Sequence, residues 1–207
     1  MVVLDEDQEE LSGRLGDRQG AVSGTQIGEC MKAPLILILH DIRSAHNVGS
    51  IFRTADGAGL ARQSYAGSVA GGGVSIYLTG YTPCPPKPGA LYLSDADKAL
   101  QKTALGAETS VSWRQVASLP RLLTRLHKEG YELVALEQMP GSIDYRDYRP
   151  GKRVALILGN EVEGVAPEIL KRSDHVIEIP MYGAKNSLNV SVATGIALYQ
   201  IISTMKR

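Results

Sequence analysis

The chain has 207 residues, 43% of them hydrophobic, enough for one domain with a sizeable core. Lysine plus arginine and aspartate plus glutamate balance at 22 each, so overall charge gives no argument for a nucleic acid or a membrane surface. Two cysteines, Cys30 and Cys84, are too few for a disulfide framework or a metal cluster. The acidic N-terminus has no apolar secretory core, and no apolar run reaches membrane-spanning length, so a cytoplasmic location is expected.

Residues 1–32 are polar and Gly-rich without sustained periodicity, and the reading is a disordered or loosely packed N-terminal extension, with residues 33–207 as the domain. Met31 is a candidate natural start. Residues 35–39 form an uninterrupted apolar run, as in a parallel strand covered on both faces. A helix follows with Val48, Ile51, Phe52 and Ala55 on one stripe, ending at Gly57 and Gly59. Residues 63–93 are broken by Gly71 to Gly73 and by the prolines from Pro83 to Pro88, with a strand expected at 75–78. This stretch reads as a surface excursion. Helices are predicted over 95–105 and 119–129, and weak alternation predicts a strand over 108–113. Further strands are predicted over 131–136, 153–158 and 175–179, with Pro167 opening a short helix over 167–172. From Leu188 to Ile202 apolar residues fall on nearly every side of a helical pattern, with small residues in the gaps, which predicts a buried helix.

Strand and helix thus alternate, which argues an α/β fold with a mainly parallel sheet flanked by helices. Polar clusters follow three of the strands: His40 to Arg53, Gly159 to Gly164, and Lys185 to Asn189. In open parallel sheets ligands bind beyond the C-terminal strand ends, so these clusters are expected to converge there. Gly57-Ala58-Gly59 closes a helix instead of opening one and fails as a dinucleotide fingerprint. No P-loop, no GxSxG elbow and no metal-ligand spacing among His40, His46, His127 and His175 is present.

Residues 47–55 (NVGSIFRTA), 158–164 (LGNEVEG), and 179–181 with 187–193 (IPM and SLNVSVA) resemble, in order, the motifs of the SpoU (TrmH-like) RNA ribose 2′-O-methyltransferases of the SPOUT class. The resemblance runs from about Leu35 to the end of the chain. It implies a C-terminal deep trefoil knot, S-adenosylmethionine bound by the knotted loops, no metal, a homodimer, and RNA (tRNA or rRNA, with tRNA slightly preferred) as substrate. A non-catalytic RNA-binding or assembly factor on the same fold is the alternative, and methylation of a base a further one.

The resemblance also distributes roles. Arg53, Asn47, Glu161, Ser187 and Asn189 match the catalytic set; Leu136, Gly159, Asn160, Glu161, Ile179, Met181, Ser187 and Leu188 match the cofactor site. A guanidinium does not ordinarily lose its proton, so Arg53 is better suited to holding phosphate and polarising the hydroxyl than to acting as base. Outside the resemblance, Arg53 has a plain role as partner of Asp56 one turn on, Asn47 as helix cap, Glu161 as a carboxylate near a helix N-terminus, and Ser187 or Asn189 as N-cap. Gly159 is expected to let backbone approach the cofactor.

Overall fold

The computed structural model describes residues 33–60, 75–87 and 89–205; the expectations for residues 1–32, Met31 and Gly71 to Gly73 lie outside them. Seven strands form one sheet in the order β3-β2-β1-β6-β4-β7-β5. They are β1 (Leu35–His40), β2 (Ile76–Thr79), β3 (Trp113–Val116), β4 (Glu132–Leu136), β5 (Ile143–Asp144), β6 (Val154–Leu158) and β7 (His175–Glu178). Every neighbouring pair is parallel, with Leu37 opposite Ile76 on one side of β1 and Leu156 on the other.

The reason lies in the strand sequences. Successive side chains point to opposite faces, so a run with no polar position must be covered on both. Leu35, Leu37 and Leu39 join Val154, Leu156 and Leu158 in one core layer, closed by Val48, Ile51 and Phe52 of α1 (Ala45–Gly57) and by Ala197, Leu198 and Ile201 of the last helix. Ile36, Ile38, Ala155 and Ile157 enter the other layer, closed by Leu122, Leu123 and Leu126 and by Ile169.

Helix α2 (Asp95–Ala104) starts with a capping box between Ser94 and Asp97, and α4 (Leu119–Lys128) is capped by Ser118. Each cap is worth about 1 kcal/mol. A short α5 (Pro167–Leu170) connects β6 to β7, and α6 (Val190–Met205) ends the described chain.

The strand expected over 108–113 is replaced by a single helical turn, α3 (Ala107–Ser110), and β3 starts at Trp113. Gly106, at φ 92°, opens the turn. Ser110 supplied a polar beat of the apparent alternation, but here the hydroxyls serve the turn: Thr109 donates to the Gly106 carbonyl at 2.7 Å, and Ser110 to the Ala107 carbonyl at 3.2 Å and the Asp56 carboxylate at 2.8 Å. Such hydroxyls offer backbone an alternative to a ladder.

Helix α6 also departs from expectation. Thr194, Ala197, Leu198 and Ile201 are buried, whereas Val192 and Tyr199 are 51% and 52% exposed. The sheet and α1 cover one side of the helix, and its second apolar side stays open in the single chain. Among the described residues no helix is long and apolar enough to cross a membrane.

Candidate active site

The C-terminal ends of β4, β6 and β7 release three loops that enclose a cavity of about 370 Å³ with the start of α6. Leu136, Gly159, Asn160, Glu161, Ile179, Met181, Ser187 and Leu188, the whole set matched to the cofactor site, line it. Its size lies in the range of small-ligand sites, and its lining combines aliphatic side chains with a larger share of polar groups. Leu136, Ile179, Met181 and Leu188 supply apolar surface, and Glu137, Glu161 and Glu178 stand around it.

Glu161 is the hub. Its Oε2 accepts the Arg43 N–H at 2.9 Å, and its Oε1 accepts the Ser44 N–H at 3.1 Å and the Asn47 side-chain amide at 2.8 Å. These donors stand at the entrance to α1, where unpaired N–H groups and the helix dipole favour an anion. Partial burial alone would raise the carboxyl, but the bonds from Arg43, Asn47 and Ser44 outweigh it and hold the group below its ordinary range. It is therefore ionised at neutral pH.

The network continues past Asn47. Asn189 donates its side-chain amide to Asn47 Oδ1 at 3.1 Å, and Asn189 Oδ1 accepts the Ser191 N–H at 2.9 Å and its hydroxyl at 2.6 Å. Asn189 thereby caps α6. One chain of side chains links the 47–55, 158–164 and 187–193 segments.

The 159–164 loop is a tight structure held by its own atoms. Asn160 pairs backbone to backbone with Gly164 at 3.0 Å in both directions. A Cβ at Gly159 would stand 2.3 Å from the Gly164 carbonyl oxygen. The glycine is therefore required by the loop closing on itself, at a position that also lines the cavity. Asn160, only 8% exposed, has its amide committed to the Asp41 carbonyl (2.9 Å) and the Tyr81 hydroxyl (2.7 Å). Its Oδ1 accepts the N–H groups of Val162 and Glu163. Its side chain and its backbone N–H are thus both committed within the protein.

Arg53 does not line the cavity. It is exposed on α1, two turns past the Glu161 clamp, and among the described residues it has no ion-pair partner. Asp56 bonds Ser110 instead of Arg53. Residues the sequence reading passed over complete the site. Glu137 accepts the Val165 N–H at 2.7 Å and the Gln138 N–H at 2.9 Å, tying the β4 exit to the 159–165 loop. Arg146, paired with Asp144, donates to the Tyr182 hydroxyl at 2.8 Å and steadies the 179–188 loop. A carboxylate directly after an apolar strand was the available signal for Glu137; nothing local marks Arg146. Among the described residues no group of three or more His, Cys, Asp or Glu side chains is arranged to hold a metal ion.

Residues 90–199 match the sequence model of the SpoU rRNA Methylase family. The chain is 31% identical over 177 residues to a tRNA (guanosine(18)-2′-O)-methyltransferase of Aquifex aeolicus, covering 84% of this chain and 72% of the relative. It is 32% identical over 169 residues to the 23S rRNA (guanosine-2′-O-)-methyltransferase RlmB of Salmonella typhi, covering 82% of this chain but 60% of that one. Among solved structures, the A. aeolicus TrmH/SpoU tRNA modifying enzyme superposes with a TM-score of 0.65 at 28% identity, covering 86% of this chain and 78% of the other. The AdoMet-bound rRNA methyltransferase of Sinorhizobium meliloti gives a TM-score of 0.65 at 25% identity, covering 83% and 57%.

Proposed function

The chain belongs to the SpoU rRNA Methylase family, and from that premise we propose that it transfers a methyl group from S-adenosylmethionine to a ribose 2′-hydroxyl of RNA. The observation that carries the reading is the Glu161 clamp. A carboxylate from the cavity loop fixes the first residues of the helix that bears Arg53. A cofactor pocket and an exposed cation on a second element are thereby held in one frame, as methyl transfer to a charged polymer requires.

S-adenosylmethionine, when bound, supplies an activated methyl on its sulfonium, so the protein needs alignment more than chemical activation. The pocket residues suit it: Leu136, Ile179, Met181 and Leu188 offer apolar surface to a base, and backbone groups of the three loops offer hydrogen bonds. Arg53 holds the phosphate next to the target ribose and polarises the hydroxyl, a role that fits a permanently charged guanidinium. Glu161 and Asn47 act as positioning residues for α1, and Asn189 couples them to α6. Ser187, lining the pocket beside Asn189, faces the reacting ribose. A ribose 2′-hydroxyl implies RNA and not DNA. Transfer RNA is the first substrate to test and ribosomal RNA the second.

The rest of the reading follows the same premise. Residues 33–207 act as one methyltransferase domain, the C-terminal segment threads to a deep trefoil knot, and the enzyme works as a homodimer in the cytoplasm. The half-exposed apolar side of α6 supports the dimer, since Val192 and Tyr199 offer a surface that a second copy would cover.

Incubation with methyl-labelled S-adenosylmethionine and RNA from cells lacking the protein tests the reaction. Nuclease digestion should release a labelled 2′-O-methyl nucleoside, and mapping of its position gives the substrate. RNA binding without label transfer would favour a non-catalytic factor, and label on a base would overturn ribose methylation.

A further inference from the structure

Tyr81 stands just past β2 with 58% of its surface exposed. Exposed tyrosines are common and by themselves mean little. This one is unusual in how firmly it is held. Asn160 donates to its hydroxyl at 2.7 Å, and Asp41 Oδ1 accepts its backbone N–H at 3.1 Å. Before it, Gly80 has φ +63°, and a Cβ there would meet Asp41 Oδ1 at 1.7 Å. Asp41 is itself at φ 55°, a conformation that costs a non-glycine residue energy and gathers at functional sites. After it, Thr82 is buried and its hydroxyl bonds the Leu39 and Thr79 carbonyls. The backbone on both sides and the hydroxyl end are thus fixed, while the ring stays in solvent.

Its place in the sheet is equally specific. The cavity sits over β6, β4 and β7, whereas Tyr81 leaves β2 on the other side of β1, next to the start of α1. Its anchor Asn160 immediately precedes Glu161, which clamps α1. The ring is therefore rigidly referenced to the same loop that walls the cavity, on the side of the sheet where α1 carries the exposed Arg53.

We propose that Tyr81 is a stacking platform for a nucleobase of the RNA substrate, at or beside the methylated nucleotide. The proposal rests on the RNA methyltransferase reading above. Sequence-specific recognition of RNA targets loops and splayed bases, which stack on aromatic side chains held at the surface. Anchoring the hydroxyl to Asn160 removes the rotameric freedom that stacking would otherwise have to freeze.

The test uses the full chain with Tyr81→Ala and Tyr81→Phe. Fluorescein-labelled small-RNA and ribosomal-RNA fractions from cells lacking the protein serve as binding probes, and the same fractions unlabelled serve as methyl acceptors. Tyr81→Ala should weaken RNA binding, and raise KM for RNA, about tenfold, as loss of one stacked base does. kcat should change less than about twofold, a shift too small to involve the reacting atoms. Affinity for S-adenosylmethionine, read by calorimetry, should not change. Tyr81→Phe, which keeps the ring, should bind RNA nearly as the wild type does. Unchanged RNA binding in Tyr81→Ala overturns the proposal. So does an equal loss in Tyr81→Phe, which would make the hydroxyl the working group, or a parallel loss of cofactor affinity, which would make the residue structural. Wild-type protein that binds RNA but transfers no methyl overturns the enzymatic reading alone, and the binding comparison still decides the role of Tyr81.

Discussion

Asn47 and Glu161, 114 positions apart in sequence, share a 2.8 Å hydrogen bond, and the same Asn47 accepts from Asn189 at 3.1 Å. The pair joins the entrance of α1 to the cavity loop, and Asn189 brings in the start of α6. Groups within one network do not act additively; couplings of about 0.5–3 kcal/mol are usual. Asn47→Ala and Glu161→Ala should each lower kcat/KM by about tenfold or more, and the double variant should lose little beyond the worse single one. Strictly additive losses would show that the two act separately.

The charge on Glu161 gives this clamp a pH signature. Its carboxyl lies below the ordinary value in the folded chain, so the unfolded chain takes up its proton first as pH falls. The stabilisation is therefore complete above the unfolded value of about 4.3 and is lost as pH drops through the folded value. Denaturant titrations of wild type and Glu161→Gln should differ by a constant amount near neutrality and converge on acidification. A gap that widens in acid contradicts the assignment.

How much of this was legible in the sequence depends on the range of the forces involved. The strands from Leu35, Val154 and His175 and the helices from Ala45, Asp95 and Leu119 follow from local pattern and capping chemistry, and all stand within a residue or two of where the pattern puts them. The turn at Ala107–Ser110 was hidden because an alternation of hydroxyls and apolar residues reads alike whether the hydroxyls face water or bond backbone. The two-residue β5 was invisible because its pairing with β7 is set by contacts far along the chain. In the site, the resemblance named loops that line one cavity, but not which atoms within them are spent. That the Asn160 side chain is consumed by Asp41, Tyr81 and its own loop is a property of packing between segments, with no local trace.

Gly159 is the sharpest test of that packing. A methyl group there would stand 2.3 Å from Gly164 O and 2.6 Å from Val165 N, both backbone atoms that cannot swing aside. Gly159→Ala should force the Asn160–Gly164 pairing apart, at a cost of about 1–3 kcal/mol of stability. Since the same loop walls the cavity, S-adenosylmethionine affinity should fall with it. Calorimetry and thermal denaturation read the two effects, and retention of both would mean the loop is not built as described.

Arg53 separates binding from turnover. It is exposed, lies outside the cavity and has no ion-pair partner among the described residues, so removing it should cost the fold less than about 0.5 kcal/mol. Arg53→Ala should lower kcat by about a hundredfold or more while cofactor affinity is unchanged, as expected of an interaction strengthened in the transition state. Arg53→Lys should recover part of the activity if phosphate attraction alone matters, and little if the planar fork of the guanidinium is needed. Normal turnover in Arg53→Ala would remove it from the reaction.

The open side of α6 makes the homodimer testable. Val192 and Tyr199 lie seven residues apart on one helix face, each about half exposed, while Ala197 and Ile201 on the other face are fully buried. A charge at Val192 costs the single chain little because water can reach it, but at a self-complementary contact it meets its own copy and is desolvated. Val192→Asp should therefore leave the circular dichroism spectrum intact and shift the sedimenting species from dimer to monomer. Ala197→Asp, which buries the charge in the core, should instead unfold the protein, and this contrast distinguishes interface from core. If wild-type protein sediments as a monomer at concentrations where it is active, the exposed face of α6 has another use and the dimer is wrong.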